Sequence, residues 1–141
     1  MNSQDALVIG IPRGGVVVAK EVADFLQLPL DVICPRKIGA PFNHEYAIGA
    51  VTETGQTYFD PILLKRLEIS KEYLTHKVAE ETKRAQERLS LFRKNRPPRE
   101  LYNKTVILID DGLATGATMK AAIVSARAEK AKSIVVAIPV A

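Results

Sequence analysis

The sequence predicts an α/β domain built on a mainly parallel, twisted sheet with flanking helices. Short apolar runs at residues 6–11, 30–34, 104–110 and 133–138 are rich in β-branched residues and have the length of strands buried on both faces. Stretches with helical spacing separate the first two runs and the last two. This alternation implies right-handed βαβ crossovers, and in such sheets ligands bind in the crevice beyond the carboxyl ends of the strands. A length of 141 residues suits one domain, read here as residues 1–141. Hydrophobic residues make up 47% and charged residues 26%, with a mean hydropathy of +0.01, so a disordered or fibrous chain is excluded.

The first run is closed by Pro12 and the glycines Gly14 and Gly15. Val18, Val22 and Leu26, flanked by Ala19 and Phe25, then predict a helix that ends before Pro29. The second strand stops at Pro35, and residues 36–45 read as a loop. Residues 47–54 and 56–59 flank Gly55 as a strand and its returning partner. Ser70 is a helix N-cap, with Ile69 and Leu74 placed to close a hydrophobic staple. The stripe Leu74, Val78, Ala85, Leu89 and Phe92 continues that helix for about 24 residues, or about 36 Å, until Pro97-Pro98. Between the last two strands, Met119, Ala122, Ile123 and Ala126 share one helix face.

The net charge of +4 does not point to nucleic acid, because residues 83–99 largely alternate Lys/Arg with Glu in the manner of a solvated helix face. Only Arg93-Lys94-Asn95-Arg96 departs from that pattern. No apolar run reaches 18 residues and no basic-then-apolar leader is present, so neither a membrane nor secretion is expected and a cytoplasmic location follows. The single cysteine, Cys34, lies in an apolar run and reads as a small buried hydrophobe. No His or Cys cluster has metal-ligand spacing.

The chemistry concentrates after the third strand. Gly112, Thr115, Gly116 and Thr118 lie between that strand and a helix beginning near Ala117, where backbone N–H groups and hydroxyls can converge on a phosphate. Asp110 and Asp111 would repel that phosphate on contact, so they suit vicinal sugar hydroxyls instead. A phosphate-binding loop of the Gly-Lys-Ser/Thr kind needs a lysine where Ala117 stands, and a dinucleotide fingerprint does not fit Gly10 and Gly14-Gly15. A phospho-acceptor receiver would want acids after the first strand, where Pro12-Arg13 stands.

The run Asp110-Asp111-Gly112-Leu113-Ala114-Thr115-Gly116-Ala117-Thr118 resembles the ribose-phosphate signature of the type I phosphoribosyltransferases, and Pro12-Arg13-Gly14-Gly15 resembles their pyrophosphate loop. The resemblance implies a Rossmann-like core that binds phosphoribosyl pyrophosphate and transfers its phosphoribosyl group to a nitrogenous base or related acceptor. Asp110, Asp111 and Arg13 would be catalytic, and Mg²⁺ would arrive on the substrate rather than in a protein cage. It also implies a cis peptide at Pro12-Arg13 and contacts to pyrophosphate from Arg36 and Lys37, with His44 and Glu45 nearby. Ala114 stands where many purine enzymes of the family carry an acid that meets the base, so the acceptor and general base stay open. The family's base-recognising hood has no counterpart at either end of these residues: it was lost or truncated, or residues 60–99, read as an insertion, replace it. A non-catalytic regulator that binds phosphoribosyl pyrophosphate is therefore the alternative, and a homodimer is compatible with either.

Overall fold

The computed structural model describes residues 5–110, 112 and 116–138, and within them the first apolar run becomes β1 (Ala6–Gly10), buried at every position. Beside it lie β2 (Leu30–Val32) and β6 (Thr105–Ile109), and beyond β6 lies β7 (Ser133–Ala137). The four strands form one sheet in the order β2-β1-β6-β7, with every pairing parallel. Period-two alternation divides β1 between two cores. Leu7 and Ile9 pack with Val106, Leu108 and the Met119, Ala122 and Ala126 face of α4 (Gly116–Ala128). Ala6 and Val8 pack with Ile109 and the Ala19 and Ala23 face of α1 (Gly14–Leu26). The two crossover helices therefore cover opposite faces of the sheet.

On α1 the buried line is not the one expected. Gly15, Ala19 and Ala23 face the sheet, Val18 and Val22 flank them, and Phe25 and Leu26 are exposed by 87% and 44%. Close helix-to-sheet packing selects the small residues and turns the large ones outward. The helix ends at Gln27, a left-handed C-cap whose N–H reaches the carbonyls of Ala23 and Asp24, two residues before Pro29.

Residues 36–45, expected as a loop, instead form β3 (Arg36–Ala40) and the start of β4 (Asn43–Val51), which pairs in turn with β5 (Thr57–Phe59). The reason is a buried face of Ile38, Ala40, Ile48 and Val51, which the charged neighbours Arg36 and Lys37 disguise. A short helix, α2 (Pro61–Arg66), was also not expected; Asp60 caps it by accepting from the N–H groups of Ile62 and Leu63, with Pro61 at the first turn. The long helix α3 (Lys71–Arg93) matches expectation, and the Ser70 hydroxyl accepts the N–H of Tyr73 at 3.1 Å. Leu74 and Val78 close the β3–β5 core, while Ala85 and Leu89 pack on Val32 and Cys34.

One buried guanidinium joins these parts. Arg99 donates to Glu129 at 2.7 Å and to the Val32 carbonyl at 3.1 Å, and it pairs with Oε1 of Glu53, an oxygen that accepts no other hydrogen bond. The other oxygen of Glu53 accepts the N–H of Cys34 at 2.9 Å. Burial by itself would favour the neutral form of Arg99, but the hydrogen bond to Glu129 and the charge of Glu53 outweigh it and hold the cation firmly. Replacing it by Arg99→Met leaves Glu53 buried beside no cation; the expected loss in urea unfolding is about 3–5 kcal/mol, part of which Glu53→Gln should restore.

Burial, reinforced by the charge of Glu53, pushes the Cys34 thiol up to about 12. A raised folded value means the thiol's contribution is complete below its unfolded value near 9 and disappears as pH climbs towards 12. Native protein at pH 8 should therefore resist thiol reagents that modify it in denaturant. Stability measured by unfolding should fall between pH 9 and 12, less steeply in Cys34→Ala.

Candidate functional site

From β1 the chain passes through α1 to β2 on one side, and from β6 it passes through α4 to β7 on the other. The direction of winding reverses between β1 and β6, which opens a crevice at their carboxyl ends. Both sequence motifs leave the sheet there. Gly10 and Ile109 are register partners, and the N–H of Ile11 continues the ladder to the Ile109 carbonyl at 2.9 Å.

The contact that brings α1 against the end of β6 is made by Gly15. A Cβ at this position would lie 2.6 Å from the Ile109 carbonyl oxygen and 3.1 Å from Cα of Asp110, so only glycine allows the first turn of α1 to rest on the end of β6. Immediately before it, the Pro12-Arg13 peptide is cis, as the resemblance implied, and Arg13 is the N-cap of α1. Gly14 opens the helix, and no acidic side chain occupies its first turn.

On the β6 side, Asp110 is 4% exposed and its N–H reaches the Ala137 carbonyl at 3.4 Å. Gly112 follows in a left-handed conformation with φ of 87°. Gly116 opens α4, and Ala117 and Thr118 lie in its first turn, which also lacks an acid. Asp111, Leu113, Ala114 and Thr115, each named from the sequence as a site residue, lie outside the described residues. Both helices thus begin towards the carboxyl edge of the sheet, one on each face, and the positive ends of both suit anions.

Arg36 and Lys37 sit one strand away, just beyond β2. Nε of Arg36 donates to Glu81 of α3 at 3.0 Å, while Lys37 is exposed. His44 and Glu45 are exposed at the start of β4. The basic run after residue 92 is largely engaged within the fold: Arg93 pairs with Asp31 at 2.7 Å and donates to the Pro97 carbonyl, and Arg96 donates to the Leu30 carbonyl. Glu81 was missed in the sequence although a signal existed, since it occupies the gap between Val78 and Ala85 in the apolar stripe and is 6% exposed. Glu53 and Arg99 offered no comparable signal, because their pairing is set by distant elements. Among the described residues no three His, Cys, Asp or Glu side chains converge as a metal cage, and no helix is long and apolar enough to cross a membrane.

A family model described as a phosphoribosyl transferase domain matches residues 1–141. Two curated proteins of Mycobacterium tuberculosis, from strains CDC 1551 and H37Rv, are 38% identical over 140 residues and carry the provisional name of phosphoribosyl transferase. The match takes in 99% of this chain and 32% of each of theirs, so the chain spans about a third of the length of these relatives. Among solved structures, TT1426 from Thermus thermophilus is similar with a TM-score of 0.78 and 40% identity, over 99% of this chain and 65% of that one.

The Gly15 contact is directly testable. Gly15→Ala should force α1 away from β6 and lower stability by about 1–3 kcal/mol in denaturant unfolding. An unchanged midpoint would show that α1 does not rest on the end of β6.

Proposed function

This chain belongs to the phosphoribosyl transferase domain family, and on that footing we propose that it binds phosphoribosyl pyrophosphate in the β1/β6 crevice and transfers the 5-phosphoribosyl group to a nitrogenous acceptor, releasing pyrophosphate. The observation that supports this reading is the seating of Gly15 against Ile109 and Asp110, which brings the end of the Pro12–Gly15 motif to the first residue of the acidic motif.

In this reading the 5-phosphate takes the backbone N–H groups of residues 112–118 and the start of α4, with the hydroxyls of Thr115 and Thr118 beside it. Asp110 and Asp111 accept the ribose hydroxyls, while Gly14, Gly15 and the start of α1 receive the pyrophosphate, with Arg13 supplying charge. The bond from C1 of the ribose to the pyrophosphate oxygen breaks and its electron pair leaves with that oxygen. The acceptor nitrogen then donates its pair to C1, and the proton it sheds passes to solvent or to the departing pyrophosphate. Positive charge grows on the sugar as this happens, and a buried carboxylate at Asp110 favours it electrostatically. Mg²⁺ carried by the donor would supply charge neutralisation for the departing pyrophosphate. Ala114 has no group that could take the acceptor's proton.

The test is pyrophosphate release from phosphoribosyl pyrophosphate and Mg²⁺ across a panel of bases, together with calorimetric binding of the donor. Asp110→Asn/Asp111→Asn should weaken donor binding by about tenfold or more, the scale of a lost charge-assisted hydrogen bond. Undiminished binding would sink the site. Binding without turnover for any base would replace the enzyme with a binding protein that senses the same ligand.

A further inference from the structure

A parallel sheet buries both of its faces, yet part of one face of this sheet is open. On the α4 side of the interior strand β6, Val106 and Leu108 are fully buried. On its α1 side Thr105 and Ile107 are only half-buried, and Val135 of β7, the register partner of Ile107, is 49% exposed. Ser133 and Ala137 lie on that same face of β7 and are exposed too. The cause is the position of α1, which sits over β1 with Leu30 of β2 and Ile107 at its margins. Among the described residues no other helix packs on β6 and β7 from that side.

Helix and open strip make a step. Val16 packs towards β2 with Val32 and Cys34, so the opposite flank of α1, with Val18, Val22 and the exposed Phe25, borders the strip. Val17, Glu21 and Asp24 are exposed on the outer side of the helix, and Lys20 pairs with Asp24 at 3.1 Å. The helix runs against the strand direction, from Gly15 at the end of β6 back to Pro29, whose carbonyl accepts the N–H of Val8. Its outer side is therefore apolar towards the carboxyl edge and acidic towards the amino edge. The strip has a matching order. Val135 and Ala137 lie towards the carboxyl edge; towards the amino edge lie the Thr105 and Ser133 hydroxyls, 2.9 Å apart, preceded in the chain by Lys104 and Lys132.

We propose that a second copy of this chain docks on the step, about a two-fold axis parallel to the strands, so that each α1 fills the space over β6 and β7 of the other. A two-fold axis makes such a surface its own complement, and the two helices share one layer between two sheets. Val18, Val22 and Phe25 of both copies meet at the axis, and Val17 covers Val135 of the second copy. Glu21 and Asp24 come to the hydroxyls and lysines at the amino edge. A partner lacking those acids would cover Thr105 and Ser133 without pairing them, so the order of charge along the strip favours α1 itself. The dimer does not depend on what the crevice binds.

Sedimentation equilibrium on this chain tests it. The wild type should be a dimer that dissociates on dilution. Phe25→Ser and Val135→Lys, both at exposed positions, should each weaken association about tenfold or more while leaving the circular dichroism of the monomer unchanged. Asp24→Lys should weaken it as well, and Lys132→Glu in the same chain should restore it. In a Cys34→Ala background, a mild oxidant should join Phe25→Cys chains into a covalent dimer. A wild type that stays monomeric at every concentration overturns the proposal and gives the step to another partner. A dimer that survives both Phe25→Ser and Val135→Lys overturns it too, as does a Phe25→Cys chain that does not cross-link or a loss in Asp24→Lys that Lys132→Glu leaves unrestored.

Discussion

The candidate site depends on how closely the first turn of α1 approaches the end of β6. Gly15 lies against the Ile109 carbonyl and Cα of Asp110 with no room for a side chain. Because of that contact, the start of α1 and the end of β6, almost a hundred residues apart in the chain, meet at the β1/β6 crevice. Parallel pairing of β1 with β6 aligns their carboxyl ends, and the reversal of winding between them keeps α1 and α4 on opposite faces. Both helices can then begin at the crevice without competing for space.

A second constraint holds the outer parts of the chain to this core. The Arg99 guanidinium touches Glu53 after β4, Glu129 after α4 and the Val32 carbonyl of β2. Through Glu53 it also reaches the backbone N–H of Cys34. A charge this deeply buried is tolerated because carboxylates face it from two sides and its donors are used. The end of α3 and the connection after it, which carry Arg93, Arg96 and Arg99, are thereby bound along β2. Arg93, Arg96 and Arg99 on that segment are thus engaged in internal contacts.

The electrostatics of the carboxyl edge also divide by origin. At the crevice, positive potential comes from helix ends and backbone N–H groups, a fixed and compact source suited to phosphates held close to a buried carboxylate. Beyond β2 it comes from side chains on α3 and β3, organised around Glu81. Placing an acid in an apolar stripe is costly unless it is paired, and the two arginines provide that pairing while turning the helix face into a charged wall.

By itself the sequence determined the four strands of the parallel sheet, the crossover helices and the acidic and glycine motifs, because period, capping residues and loop chemistry are local properties. Ser70 at the start of α3 and the Met119, Ala122 and Ala126 face of α4 were legible for that reason. The tertiary structure decided what local patterns do not encode. It selected Ala19 and Ala23 over Phe25 and Leu26 as the buried line of α1, because the sheet admits only small residues there. It also drew residues 36–45 into a hairpin, because Ile38 and Ala40 gain a buried face only once α3 covers them. Gly15 marked a turn in the sequence; only the neighbouring strand, with no room left for a side chain, made it the point at which α1 meets the end of β6.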